Sequence, residues 1–239
     1  MPTPYGFSVE ESCMTCKRKS LGFFCNLSLA ATKDLDSVRS SAAYPAGAVL
    51  FLEKQDPHGV FLLCAGKVKL TISSSEGKTL IVRLVEPGEI LGLAAVFTGT
   101  PYEVTAETMH PSQVAFIRRH DLIQLMNKYP EIYQSAVKQL SGLYRGACEQ
   151  LRTIGLSSSA PEKVARLLLG MCSSRPAHDR ECLSITLPLT HEEIASCIGS
   201  TRETVTRTLS EFKAKKLVAF HGSTLTIEDR EALESIGGA

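Results

Sequence analysis

The sequence of 239 residues lacks tryptophan, and aromatic residues make up only 6% of it. It also lacks a charge excess, since 26 Lys and Arg residues stand against 25 Asp and Glu. A nearly neutral chain carries no global signal for nucleic acid, so such a partner must be argued from local patterns. No apolar run approaches the roughly 18 residues that a membrane span needs, and the first residues lack the layout of a signal peptide. We therefore expect a cytoplasmic protein without a membrane partner.

Cysteine, by contrast, is abundant. Eight cysteines occur in a chain with 44% hydrophobic and 21% charged residues, a balance that supports a folded core in one or two domains. In a protein without a signal peptide, cysteines favour metal binding, redox sensing or buried thiols over a disulfide framework. Cys172 and Cys197 fall on apolar helix faces, where we expect core residues.

Residues 44–120 consist of short apolar segments separated by glycine-containing turns at intervals of about ten residues. Several short strands at this spacing predict a β-sandwich or β-barrel. The predicted strands cover residues 48–52, 60–63, 68–72, 79–85 and 114–117.

Beyond residue 128 the apolar residues follow a helical period, at alternating steps of four and three, which defines a heptad seam. The seam starts at Tyr133. It needs a partner, which is either the rest of its own domain or the same helix of a second subunit. We expect the second arrangement, a homodimer. The predicted interface residues are Val137, Leu140, Tyr144, Ala147, Leu151 and Ile154.

Two short helices joined by a tight turn are predicted between residues 190 and 209. Thr190 with Glu193 fits a capping box, Gly199 fits a helix end, and Ser200 with Glu203 fits a second capping box. A hairpin predicted over residues 217–227 follows, so the segment has the pattern of a winged helix-turn-helix.

The second helix of such a motif offers its first residues to base edges in the DNA major groove. Arginine can donate two hydrogen bonds to guanine, and glutamate can accept one from cytosine. The predicted base-facing residues are Arg202, Glu203, Thr206 and Arg207. Further DNA contacts are predicted at Ser200, Thr201 and Lys213. Without DNA, Glu203 would be explained by helix capping alone and Arg207 as an ordinary solvated residue.

The order of barrel, heptad helix and winged helix-turn-helix resembles the CRP/FNR superfamily of bacterial transcription regulators. Residues 45–51 look like its opening barrel strand, residues 63–68 like its glycine turn, residues 87–92 like its Pro-Gly-Glu loop and residues 200–207 like its recognition helix.

The resemblance implies an α+β fold with a cyclic-nucleotide-binding-type β-barrel (double-stranded β-helix), a long dimerisation helix and a C-terminal winged helix-turn-helix. It places a cysteine-rich sensor segment at residues 1–29, the barrel at 30–127, the dimerisation helix at 128–158 and the DNA-binding domain at 159–239. It further implies a non-enzymatic homodimer that binds a palindromic operator with TGA-type half-sites, and RNA polymerase as a partner if the protein activates.

Family members that bind cyclic nucleotides hold the phosphate with an Arg-Ser pair after the Pro-Gly-Glu loop. Here the matching residues 97–106 contain no Arg or Lys, and Glu103 would repel a phosphate. The family's ligand-contacting glutamate is replaced by Leu93. We therefore expect no cyclic nucleotide.

The N-terminal Cys13, Cys16 and Cys25 resemble the segment that holds a [4Fe-4S] cluster in the FNR branch, and thiolates suit such clusters. Residues 17–19, all basic, are expected to lower the thiol pKa values. The spacing to the third cysteine is longer than in the type member, and the family's fourth cysteine falls at about Ala115.

Cys64 is therefore our candidate for the fourth ligand, with Asp56 or His58 as alternatives. A zinc site with thiolate ligands and a switch in which Cys13 and Cys16 form a disulfide remain open readings.

Two other classes of protein compete with this interpretation. A thiol-disulfide oxidoreductase could use Cys13 and Cys16, but the CxxC pair lacks the strand-to-helix context of that fold. A binding subunit could use the barrel for a ligand and the C-terminal domain for protein contact.

Overall fold

The computed structural model describes residues 9–16, 24–173, 184–186, 189–221 and 224–238. The chain forms two compact units, the first made of Met1–Gly77 and Val82–Gly146, the second of Lys78–Ile81 and Ala147–Ala239. Among the described helices, none combines the length and apolar character that crossing a membrane requires.

The first unit is a two-sheet β-sandwich with helices on one side. One sheet has the strand order β1-β8-β3-β6 and the other β2-β7-β4-β5. The strands are β1 (Ser40–Tyr44), β2 (Val49–Phe51), β3 (Gly59–Ala65), β4 (Val68–Ser73), β5 (Thr79–Val85), β6 (Ile90–Leu91), β7 (Thr105–Thr108) and β8 (Ser112–Arg118). The helices are α1 (Leu29–Val38), α2 (Leu93–Thr98), α3 (Arg119–Lys128) and α4 (Pro130–Leu151). The predicted sandwich is confirmed.

Strand β8 carries core residues on both faces, because successive side chains of a strand point to opposite sides. Val114 packs between the two sheets, where Phe51, Leu63 and Val68 also lie. Ala115 and Ile117 belong to a second cluster that includes residues of α1, α3 and α4. The helices therefore cover the sheet that contains β8.

Our sequence analysis missed β1, β6, β7 and the helices α1, α2 and α3. Strand β1, with the sequence Ser-Ser-Ala-Ala-Tyr, is largely exposed and has little of the apolar alternation that marks a strand. It exists because it pairs with β8 along its whole length, from Ser40 opposite Phe116 to Tyr44 opposite Ser112. Pairing across the sheet overrides the weak local preference.

Helix α4 is attached to the sandwich by one face. Ile132, Ala136 and Gln139 are buried there. The Gln139 side chain accepts a hydrogen bond from the Ile90 N–H at 2.9 Å, and its Nε2 donates to the Ile90 carbonyl oxygen at 2.5 Å. A buried amide that satisfies both backbone groups of β6 fixes the rotation of α4 about its axis.

That rotation decides which seam residues face outward. Val137, Tyr144 and Leu151 are 59%, 73% and 70% exposed, whereas Leu140 is half-buried against the core of its own unit. Ala147 is exposed, and Ile154 is half-buried in a π-helical turn, Arg152–Leu156. Leu140 therefore contacts the core of its own unit in part, because the buried stripe of α4 extends to it, and its place in an intersubunit seam stays a prediction.

The second unit contains the predicted pair of short helices and the hairpin. Its helices are α5 (Ala160–Ser173), α6 (His191–Ile198), α7 (Arg202–Ala214) and α8 (Arg230–Gly237). Its strands are β9 (Ser184–Thr186), β10 (Val218–His221) and β11 (Thr224–Ile227), in the sheet order β10-β11-β9. The hairpin is confirmed, with Val218 opposite Ile227, and the three-residue β9 was missed.

Candidate nucleic-acid interface and cysteine site

The turn between α6 and α7 follows from local capping. Glu193 donates its N–H to the Thr190 hydroxyl, and the Glu193 carboxylate accepts the Thr190 N–H at 2.8 Å, so the predicted capping box is present. Gly199 ends α6 with φ of 63°, a left-handed conformation that glycine adopts without steric cost. Both ends of α6 are therefore specified by the local sequence.

The second predicted capping box, Ser200 with Glu203, is wrong. Helix α7 starts at Arg202, and Thr201 is its N-cap, whose hydroxyl accepts the Thr204 N–H. The Ser200 N–H donates to the Ala195 carbonyl oxygen at 3.0 Å and so belongs to the turn that closes α6. The Ser200 N–H is therefore not available to the Glu203 carboxylate, as the predicted capping box would require. Thr201 caps the helix instead.

The outward face of α7 carries the predicted base-reading residues. Arg202, Glu203, Thr206 and Arg207 are exposed, as are Thr201 and Lys213, while Ser200 is half-buried. The residues that anchor the helix are Val205, Thr208, Leu209 and Phe212, all buried. Side chains that serve no packing role are thus presented together along one face.

Two features of this face were not evident from the sequence. The Thr206 hydroxyl lies 2.8 Å from Nδ1 of His191 on α6, so α6 helps to orient a predicted contact residue. The pKa of Glu203 is lowered, first by a hydrogen bond from its own backbone N–H and then by the Thr201 hydroxyl. Glu203 is therefore held as an anion, the form that accepts hydrogen bonds.

The predicted cysteine ligands come from three parts of the first unit. Cys13 and Cys16 lie on the loop of residues 9–16, Cys25 lies in the turn before α1, and Cys64 lies on β3. Their thiols are close enough to interact electrostatically: Cys64 acts on Cys13, Cys16 acts on Cys25, and both Cys16 and Cys25 act on Cys64. We call these four residues the cysteine site.

Burial raises the pKa of Cys13 to about 12 and that of Cys64 to about 11, and it is also the main cause of a raised pKa at Cys25. The expected lowering by basic neighbours is therefore wrong for Cys13 and Cys25, because the cost of burying a thiolate outweighs the nearby charge. The cation that does act on Cys13 and Cys64 is Arg39, which sequence reasoning missed, and residues 17–19 lie outside the described residues.

Across the parts of the chain that the structure describes, no group of three or more His, Cys, Asp or Glu side chains could hold a single metal ion. Asp56 and His58, the alternative fourth ligands, are exposed in the loop before β3, where His58 lines a cleft with Phe116. Cys172 and Cys197 are buried as predicted, Cys148 is half-buried, and Cys182 lies outside the described residues.

The segment that the resemblance matches to the family's phosphate pocket is held by packing around Tyr102. Leu93 is buried in the core, and the Tyr102 ring stacks on Phe51 with centroids 4.0 Å apart. The Tyr102 hydroxyl donates to the Gly59 carbonyl oxygen at 2.6 Å. Gly92, with φ of 77°, is required here because a Cβ at this position would lie 2.6 Å from the Tyr102 ring. One cation lies beside these neutral groups, since Arg119 Nε donates to the Val96 carbonyl oxygen at 2.9 Å.

A β-sandwich followed by a long helix and a winged helix-turn-helix defines a class of DNA-binding regulators. A family model described as a cyclic nucleotide-binding domain matches residues 42–129, and one described as a Crp-like helix-turn-helix domain matches residues 162–236. The chain belongs to the CRP/FNR superfamily of DNA-binding transcription regulators, as the sequence resemblance implied, and is not an enzyme.

The chain is 26% identical to the CRP-like cAMP-activated global transcriptional regulator of Mycobacterium tuberculosis, over 85% of this chain and 89% of the relative. It is 25% identical to the transcriptional activator protein anr of Pseudomonas aeruginosa, over 93% of this chain and 92% of the relative. The solved structure of FixK2 from Bradyrhizobium japonicum shares the fold, with a TM-score of 0.73 and 23% identity over 84% of this chain and 98% of that one.

The cap assignment at α7 can be tested directly. Thr201→Ala removes the side-chain acceptor of the Thr204 N–H and is expected to cost about 1 kcal/mol in the free energy of unfolding. Ser200→Ala is the matched control and is expected to change the stability little. Urea denaturation of both variants measures the difference, and an equal loss in the two would contradict the assignment.

Proposed function

We propose that this protein binds an inverted-repeat operator as a homodimer and that a [4Fe-4S] cluster held by Cys13, Cys16, Cys25 and Cys64 controls its DNA binding. The observation that carries the proposal is that the loop of residues 9–16, the turn before α1 and strand β3 bring four thiols of one unit near enough to influence one another. Cys64 interacts with the other three thiols, which supports it as the fourth ligand.

The number and type of donors support a cluster. Thiolates are the usual ligands of iron–sulfur clusters, and four of them complete the ligand set of a [4Fe-4S] cluster. Four thiolates can also complete a tetrahedral zinc site, so the metal content has to be measured to separate the two.

When bound, the cluster would supply sensitivity to oxygen or nitric oxide. The chain's own residues would bind and shield it: the high pKa values of Cys13 and Cys64 follow from burial, which limits access of water to the site. Metal binding must then displace the protons of these thiols.

The exposed apolar residues of α4 support the homodimer. Val137 and Tyr144 lie on one face of the helix and are more than half exposed, and apolar side chains at this spacing pack against a second helix. A dimer of helix-turn-helix domains places its two recognition helices about one DNA turn apart, so its operator is an inverted repeat. We propose TGA-type half-sites, and RNA polymerase as a partner if the protein activates.

The cysteine site predicts metal content. Protein purified without oxygen is expected to contain about four iron and four sulfide per chain, with a visible absorption band that air bleaches. Cys64→Ala is expected to lose most of the iron, whereas Cys148→Ala, which changes a half-buried cysteine on α4, is expected to keep it.

Metal analysis and thiol analysis of the same purified protein distinguish the alternatives. About one zinc per chain without colour would favour the zinc reading, and a Cys13–Cys16 disulfide in metal-free protein would favour the thiol switch. Full iron content in Cys64→Ala would contradict the assignment of Cys64.

Two basic residues of α7 are expected to have separable roles in DNA binding. Arg207→Ala should weaken binding to a TGA-type palindrome about 10- to 100-fold and reduce discrimination against altered half-sites, because a bidentate base contact is lost. Lys213→Ala should weaken specific and non-specific binding alike and reduce the salt dependence, because a phosphate contact is lost.

Fluorescence anisotropy at several salt concentrations, with matched and scrambled DNA, separates these effects. An unchanged preference for the palindrome in Arg207→Ala would rule out its base-reading role, and no binding by the wild-type protein in any redox state would overturn the proposed operator.

The proposed dimer depends on the exposed face of α4. Tyr144→Glu places a charge in the seam and is expected to convert a dimer of twice the 25.9 kDa chain mass to a monomer. Lys138→Glu adds the same residue on the side of α4 away from the seam and should leave the dimer intact. Sedimentation equilibrium measures both masses, and a dimer that survives Tyr144→Glu would contradict this interface.

A further inference from the structure

The loop that carries Cys13 and Cys16 is attached to the rest of the first unit by hydrogen bonds that involve no thiol. Four of its consecutive residues, 10–13, take part. Their partners are the side chains of Gln113 on β8, Asp36 on α1 and Arg39 after α1. These four contacts use backbone and hydroxyl groups of the loop, although the Asp36 carboxylate also interacts with the Cys13 thiol.

Gln113 holds the start of the loop. Its Oε1 accepts the Glu10 N–H at 2.9 Å, and its Nε2 donates to the Glu10 carbonyl oxygen at 2.7 Å. The side chain satisfies both backbone groups of one residue, as a neighbouring strand would. Gln113 is fully buried, so these bonds are shielded from competition by water.

Asp36 holds the part of the loop next to the first ligand. Its carboxylate accepts the Ser12 hydroxyl at 2.6 Å and the Cys13 N–H at 2.9 Å. Burial opposes the charge of Asp36, but these two bonds and the adjacent Arg39 outweigh it and lower its pKa to about 2. Arg39 also donates to the Glu11 carbonyl oxygen at 2.8 Å.

We propose that Asp36 and Gln113 are positioning residues that keep the Cys13 loop docked on the first unit whether or not the thiols carry a metal group. Cys13 then stays beside Cys64 when the site is empty, and the site can be loaded again without refolding of the loop. A role of this docking in sensing rests on the proposed cluster, whereas the docking itself rests only on the hydrogen bonds described above.

The inference makes a prediction for iron-free protein. If metal ligation alone ordered the loop, removal of the metal would release residues 9–16. If the hydrogen bonds described above order it, the backbone N–H groups of Glu10 and Cys13 stay protected from exchange with solvent. The two cases differ in an observable that requires neither iron nor DNA.

The experiment is hydrogen–deuterium exchange on the reduced, demetallated full-length protein, read for the peptide that covers residues 9–16. The wild-type peptide is expected to be protected. Asp36→Asn should speed its exchange about tenfold or more, because charged acceptor bonds are lost. Asp34→Asn is the matched control: Asp34 lies two residues away on α1, and its carboxylate instead binds Lys128 and the Tyr129 hydroxyl.

Gln113→Ala provides a second variant and should release Glu10. Asp36→Glu, which keeps the carboxylate, should restore part of the protection lost in Asp36→Asn, whereas general destabilisation would also speed exchange in β8. A loop that is unprotected in the iron-free wild type, or unaffected by Asp36→Asn, would overturn the inference. Absence of iron from the purified wild type would contradict the proposed cluster, but the exchange experiment would still test whether the hydrogen bonds hold the loop.

Discussion

The first unit depends on the burial of β8 on both faces. Between β1 and β3, this strand sends Val114 into the space between the sheets and Ala115 and Ile117 toward the helices. An apolar strand buried on two sides specifies its register strongly, since a shift by one residue would exchange the two faces. That register also places Gln113 where its amide meets the backbone of Glu10.

Two buried glutamines play equivalent parts at different places in this unit. Gln113 completes the backbone hydrogen bonds of the cysteine loop, and Gln139 completes those of β6 from α4. A buried amide is costly unless all of its groups are paired, so each such pair selects one arrangement of the segments it joins. In this way polar residues inside the fold orient the two segments that the proposed function requires, the metal-binding loop and the dimerisation helix.

The two functional regions use opposite electrostatic conditions. The cysteine site is half-buried, and this partial burial raises the pKa values of Cys13, Cys25 and Cys64, so that a positive group such as iron or Arg39 would stabilise a thiolate there. The face of α7 is exposed, so Arg202 and Arg207 remain hydrated and free of packing roles. Its one acidic member, Glu203, is kept ionised by hydrogen bonds at the start of the helix.

Local patterns in the sequence were sufficient for much of this description. Short apolar segments between turns predicted β3, β4 and β5, and the Thr190–Glu193 pair with Gly199 predicted α6, because these signals depend on neighbouring residues. The exposed face of α7 followed from helical spacing in the same way. The superfamily resemblance, confirmed by the family models, supplied the order of the parts.

Tertiary structure alone decided the rest. Strand β1 forms because it pairs with β8. Leu140 packs partly against its own unit because Gln139 fixes the rotation of α4. Thr201 is the N-cap of α7, and the Ser200 N–H belongs to the preceding turn. No signal in the sequence marked the residues that bind the cysteine-bearing loop, Asp36, Arg39 and Gln113. Their roles arise from contacts between residues far apart in the chain, where burial and pairing across the fold outweigh local preference.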